Sequence, residues 1–170
     1  MKIFVRSRYW IEQQLNHDPN WHFNKWIISI FSSDNQSPFL PRFNVLPLQF
    51  DDVSEVDPDG LHFSETHAEE IVKFIKEINK TDKPIYVHCD AGVSRSGAVG
   101  YMLNEWFNKY VENNSDDVQK FKENNPHILP NPLVVRLLKN AMFGKPFMNI
   151  EVNDYEYNED GEKIDHKSKI

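Results

Sequence analysis

Short apolar runs with β-branched content alternate with stretches of helical periodicity, and this alternation most constrains how the chain can fold. Trp26-Ile-Ile-Ser-Ile-Phe31, Asn44 to Phe50 and Ile85-Tyr-Val87 are too short for independent helices and read as buried strands, the second despite Pro47. Lys2 to Val5 reads as a further strand. Residues 65–80 place Ala68, Ile71, Val72, Phe74, Ile75 and Ile78 at helical spacing behind Ser64, a good N-cap. A second amphipathic helix is expected from Ser96, with Val99, Met102, Leu103, Trp106 and Phe107 on its buried face. Arg8 to Leu15 forms a looser helix, Ser115 caps another over 116–123, and Asn131 caps a last one with Pro132 at its first position. Strands alternating with helices predict an α/β fold in three layers, a mostly parallel sheet flanked by helices.

With 170 residues the chain is sized for one domain. The reading divides it into a folded domain over 1–148 and an acidic tail over 149–170. Residues 151–170 hold seven acids against three lysines, a net of −4, with few apolar groups. The whole chain carries −7, which argues against a nucleic-acid partner held by a basic surface. Its start becomes charged too early for a secretory signal, and Trp26–Phe31 is too short to cross a bilayer. The expectation is a cytoplasmic protein in a reducing compartment, with no membrane partner. A single cysteine excludes an internal disulfide and a zinc site built on paired thiolates. His17, His22, His62, His67, His127 and His166 show no metal spacing and are expected at surface or helix positions. No metal or cofactor is expected. Trp10, Trp21, Trp26 and Trp106 are expected to serve packing.

The lone cysteine falls in the segment Ile85-Tyr-Val-His88-Cys89-Asp90-Ala91-Gly92-Val93-Ser94-Arg95-Ser96. An apolar strand precedes it and an amphipathic helix follows. Strand, tight loop and helix N-terminus aim a row of backbone amides at one point, beside the positive end of the helix dipole. Gly92 permits the positive φ that turns amides inward. Arg95 can grip two oxygens of a phosphate through its planar fork. A cation at a helix start otherwise opposes the dipole, so its position itself points to an anionic ligand. Cys89 lies at the base of this cradle, in a field that favours the nucleophilic thiolate.

These residues resemble the signature of the cysteine-dependent protein tyrosine phosphatase superfamily: His-Cys, five residues, Arg, then Ser or Thr. The form here is similar to that of small dual-specificity phosphatases and short phosphatase-like proteins of bacteria and large viruses. The resemblance covers roughly residues 25–143, with support from Leu48-Gln-Phe-Asp51-Asp52, the helix over 64–80, and Ile128-Leu-Pro-Asn131. It implies that Cys89 is the nucleophile, that Arg95 and the loop 90–95 bind the phosphoryl group, that Ser96 stabilises the departing thiolate, and that His88 orders the loop. It also implies a phosphorylated protein substrate, phosphotyrosine first and phosphoserine or phosphothreonine as well.

Such chemistry needs a carboxylate that protonates the leaving oxygen and later activates water. The loop after Phe50 offers Asp51 and Asp52, and the family's apolar-x-apolar-x-Asp pattern favours Asp52. The Trp-Pro-Asp form of larger tyrosine phosphatases is absent. Three rival readings share parts of the pattern: a phosphopeptide-binding module with little catalysis, a rhodanese-like sulfurtransferase, and a phosphatase for phosphoinositides or RNA 5′-triphosphates. The last would favour Lys or Arg in the loop, where this chain has Asp90. Tyr155 and Tyr157, among acids in the tail, are candidates for phosphorylation or for docking near the site.

Overall fold

A computed structural model describes residues 1–39, 42–56, 60–78 and 82–144. The acidic tail, with Tyr155, Tyr157 and His166, lies outside the described residues.

Four strands, β1 (Ile3–Ser7), β2 (Trp26–Phe31), β3 (Val45–Gln49) and β4 (Ile85–Cys89), form one sheet in the order β1-β4-β2-β3. Every pairing is parallel. Parallel strands are covered on both faces, and β2 shows the consequence: residues 26–30 are all buried. Successive side chains of β2 enter different cores. Ile28 and Ile30 join Val5, Leu48, Val87 and the apolar faces of three helices, α2 (Glu65–Ile78), α3 (Arg95–Asn104) and α5 (Pro132–Phe143). Ile27 points the other way, into a smaller cluster with Ile11, Phe39 and Val45 that includes α1 (Arg8–His17). The sheet is therefore the middle of three layers, as the alternation predicts.

The boundaries follow local chemistry. Ser7 ends β1 and caps α1, its hydroxyl accepting from the Trp10 amide at 3.2 Å. At α5 the Asn131 oxygen accepts from the Val134 amide at 3.2 Å, with Pro132 in the first turn. Asn114, rather than the expected Ser115, caps α4 (Ser115–Asn124), because its extended backbone lets the side-chain oxygen reach the amides of Asp116 and Asp117. The helix expected from Ser96 starts one residue earlier and continues past Asn104 as a π-helical segment, Glu105–Val111. The strand expected over Asn44–Phe50 is shorter, because Asn44 turns inward and donates to the carbonyls of His22 and Lys25 at 2.9 Å each. His22, expected at the surface, is buried beside Phe23 and Phe39, where the segment after α1 folds over the second face of the sheet. Trp26 is buried, and Trp10, Trp21 and Trp106 are partly buried, in keeping with a packing role.

Among the described residues, no helix is long and apolar enough to cross a membrane. The arrangement places the carboxyl end of β4 between those of β1 and β2. In open α/β sheets that end is where ligands bind.

Candidate active site

The segment 90–94 leaves the carboxyl end of β4 and enters α3 at Arg95. Gly92 takes φ +78°. A Cβ there would meet the Ser7 amide nitrogen and lie 2.5 Å and 2.8 Å from the Arg6 carbonyl carbon and oxygen. Glycine is thus demanded by backbone conformation and by space together. The loop is tied to its surroundings on both sides. Asp90 O accepts from the Arg8 amide at 3.1 Å, Val93 O from the Leu129 amide at 3.2 Å, and Ser94 O from the Asn131 amide at 3.2 Å. No hydrogen bond within the described residues engages the amides of Ala91, Val93, Ser94, Arg95 or Ser96. These donors are thereby left for a ligand, as an anion cradle requires.

Cys89 is buried at the base of this loop. Its sulfur accepts from the Gly92 amide at 3.3 Å and lies 3.1 Å from Ser96 Oγ. Both neighbours can donate to a thiolate, so the sequence-derived pair Cys89 and Ser96 is brought together.

Arg95 is 5% exposed. Its Nη1 donates to Ser32 Oγ at 2.9 Å and to the Phe50 carbonyl at 2.8 Å. Its Nη2 donates to Asp90 Oδ2 at 2.6 Å, while its buried Nε has no acceptor among the described residues. Burial opposes ionisation of Asp90, but hydrogen bonds from Ser32 and Arg95, with the charges of Arg95 and Arg8, hold its carboxyl below the usual range. In the sequence Asp90 belongs to the loop expected to bind phosphate, where its charge weighs against highly anionic ligands, but nothing there assigns its side chain a partner. Its side chain proves to be the counter-ion of Arg95.

The two candidate acids separate. Asp52 Oδ1 accepts from Ser94 Oγ at 2.7 Å and from Asn131 Nδ2 at 2.8 Å. Its Oδ2 lies 3.9 Å from Arg95 Nε. Asp51 instead accepts from the Ser33 amide at 2.8 Å and the Ser33 hydroxyl at 3.1 Å. Asp52 therefore faces the cradle, and Asp51 pins the loop after β2.

His88 is buried on the far side, its ring 5.8 Å from that of Phe39. Neither ring nitrogen makes a well-formed hydrogen bond among the described residues. Burial, then the charge of Arg8, push its pKa down to about 4, against smaller contributions from Asp90 and the Cys89 backbone. The ring is neutral at ordinary pH. The ring packs beside Phe39 on the residue that directly precedes Cys89.

Two partners of the site are not singled out for it in the sequence. Ser32 directly follows β2, the strand beside β4, so the strand order brings its hydroxyl to Arg95. Asn131 reads as a helix cap, which it is, yet its nitrogen also holds Asp52. Among the described residues, no three His, Cys, Asp or Glu side chains stand together as metal ligands would.

A model of the dual specificity phosphatase catalytic domain matches residues 52–142. No curated protein sequence matches the chain significantly. Among solved structures, human DUSP28 is similar with a TM-score of 0.53 at 19% identity, covering 82% of this chain and 90% of that one. The PTP-2 phosphatase of Cydia pomonella gives 0.56 at 18%, covering 82% and 85%. DUSP15 gives 0.52 at 20%, covering 82% of each chain. At these identities the likeness is one of fold. The matched domain model spans more than half of the chain and contains the entire Cys89–Ser96 loop, and the chain accordingly belongs to the dual specificity phosphatase catalytic domain family.

Proposed function

We propose that the protein hydrolyses phosphate monoesters on phosphorylated proteins, phosphotyrosine above all and phosphoserine or phosphothreonine as well, through a phosphocysteine intermediate. The observation that carries this reading is the convergence of Cys89, Arg95 and Asp52 on one loop with unengaged amides. The phosphoryl oxygens are held by the loop amides of 90–95 and by the open edge of Arg95. Cys89 thiolate attacks phosphorus as the ester P–O bond breaks, and Asp52 gives its proton to the leaving oxygen. The Asp52 carboxylate then takes a proton from water, which attacks phosphorus. The S–P bond breaks, inorganic phosphate leaves, and Ser96 stabilises the thiolate that reforms.

A phosphopeptide-binding module would need no acid, and a sulfurtransferase would need none either. Asp52, held by Ser94 and Asn131 beside Arg95, favours the hydrolase. Asp90 disfavours ligands with several clustered phosphates, because its carboxylate already takes up part of the charge of Arg95. Kinetics on matched peptides carrying phosphotyrosine, phosphothreonine or phosphoserine test the assignment. The phosphotyrosine peptide is expected to have the highest kcat/KM. Sulfur transfer from thiosulfate without phosphate release would overturn the reading.

A further inference from the structure

We infer that Ser32 is a positioning residue for the phosphoryl group: with Asp90 it fixes the Arg95 guanidinium so that its Nε–Nη2 edge faces the bound anion. The inference rests on the phosphatase reading of the loop. A guanidinium has five N–H donors in a rigid plane. Both donors of Nη1 are used, on Ser32 Oγ and the Phe50 carbonyl, and one donor of Nη2 is used on Asp90 Oδ2. The remaining two are Nε–H and the second hydrogen of Nη2.

Ser32 decides which two remain. Its Oγ accepts from Nη1 at 2.9 Å and donates to the same Asp90 Oδ2 at 2.8 Å that takes the Nη2 hydrogen bond. The hydroxyl and the carboxylate oxygen therefore close a ring across the Nη1–Nη2 end of the guanidinium. The other Nη2 hydrogen then lies parallel to Nε–H, which gives the fork that matches two phosphate oxygens. Asp52 Oδ2, 3.9 Å from Nε, stands on this same edge, beside the place where a leaving oxygen would lie.

Without the Ser32 hydroxyl, Asp90 keeps its charge but is free to rotate toward Nε, where it would compete with the substrate. A dianion would then meet an occupied fork. The hydrogen bonds of Ser32 reach neither Cys89 nor Asp52, so its effect should be confined to oxyanion binding.

The test measures tungstate affinity by calorimetry and, separately, the rate at which a neutral alkylating agent modifies Cys89. Ser32→Ala should bind tungstate about tenfold more weakly than wild type, the scale of one hydrogen bond to a charged group. Its KM for an aryl phosphate should rise by a similar factor, and the alkylation rate without tungstate should stay within about twofold of wild type. Ser32→Thr, which restores the hydroxyl, should recover most of the affinity. The proposal is overturned if Ser32→Ala binds tungstate like wild type, if Ser32→Thr is as weak as Ser32→Ala, or if Cys89 alkylation changes in parallel with affinity. Wild-type protein that neither binds tungstate nor hydrolyses an aryl phosphate would instead remove the phosphatase reading, and the inference with it.

Discussion

Asn131 joins the start of α5 to the acid loop: its nitrogen donates to Asp52 Oδ1 at 2.8 Å and to Val53 O at 3.0 Å, while its oxygen caps the helix through the Val134 amide. One side chain thus serves stability and site geometry, and the two roles can be separated. Asn131→Asp keeps the cap but turns a carboxylate oxygen toward Asp52 and the Val53 carbonyl, so stability to urea at neutral pH should fall by about 1–3 kcal/mol, a loss that shrinks as the pair takes up a proton at lower pH. It also replaces a donor with a carboxylate at Asp52. Turnover of a phosphotyrosine peptide should fall at least about tenfold. Steady-state kinetics beside a urea melt check both halves.

Asp52 and Asp51 are adjacent in sequence but engage different partners, and their variants should differ accordingly. Asp52→Ala is expected to lower kcat on alkyl or phenolic substrates by about 10²–10⁴. The loss should shrink for a leaving group acidic enough to depart unprotonated. Asp51→Ala loses contacts to Ser33 and should keep kcat within about tenfold of wild type. A leaving-group series on both variants is the measurement.

Gly92 meets the backbone of β1 where it passes into α1. Gly92→Ala adds both positive-φ strain and a clash with backbone atoms that cannot rotate away. The loss of stability should be about 3 kcal/mol or more, with activity abolished. Chemical denaturation and turnover of an aryl phosphate report the two effects.

His88 gives the fold a pH dependence of definite sign. Its folded pKa of about 4 lies below the ordinary 6.5, so below that value the unfolded chain takes up a proton that the folded chain refuses. This contribution to stability is fully present above about pH 6.5 and is lost as pH falls toward about 4. The loss approaches about 3 kcal/mol for this one group. Denaturation of wild type and His88→Asn across this range checks it. The difference in stability between the two proteins should shrink as pH falls.

Much of this molecule is legible in its sequence where the determinants are contiguous. β2 spans the same residues as its apolar run, because both faces of a central parallel strand are buried and even the one polar residue in it, Ser29, lies inside. Cys89, Gly92, Arg95 and Ser96 share one turn of chain, so their convergence needs only the strand–loop–helix geometry. The cap of α4 is harder, since Asn114 and Ser115 are neighbours of similar capping strength and only backbone conformation selects between them. The π-helical turn over 105–111 has no periodicity signal of its own. Ser32 and the second role of Asn131 arise from strand order and helix placement across 63 and 79 residues of chain, which no local pattern encodes.

The central claim is that Cys89 carries the phosphoryl group. Mass spectrometry of the protein, stopped with acid during turnover of an aryl phosphate, tests this most directly. The account predicts one phosphoryl adduct on the peptide containing Cys89, absent from Cys89→Ser, whose turnover is lost. Phosphate release without an adduct, together with unimpaired turnover by Cys89→Ser, would contradict it.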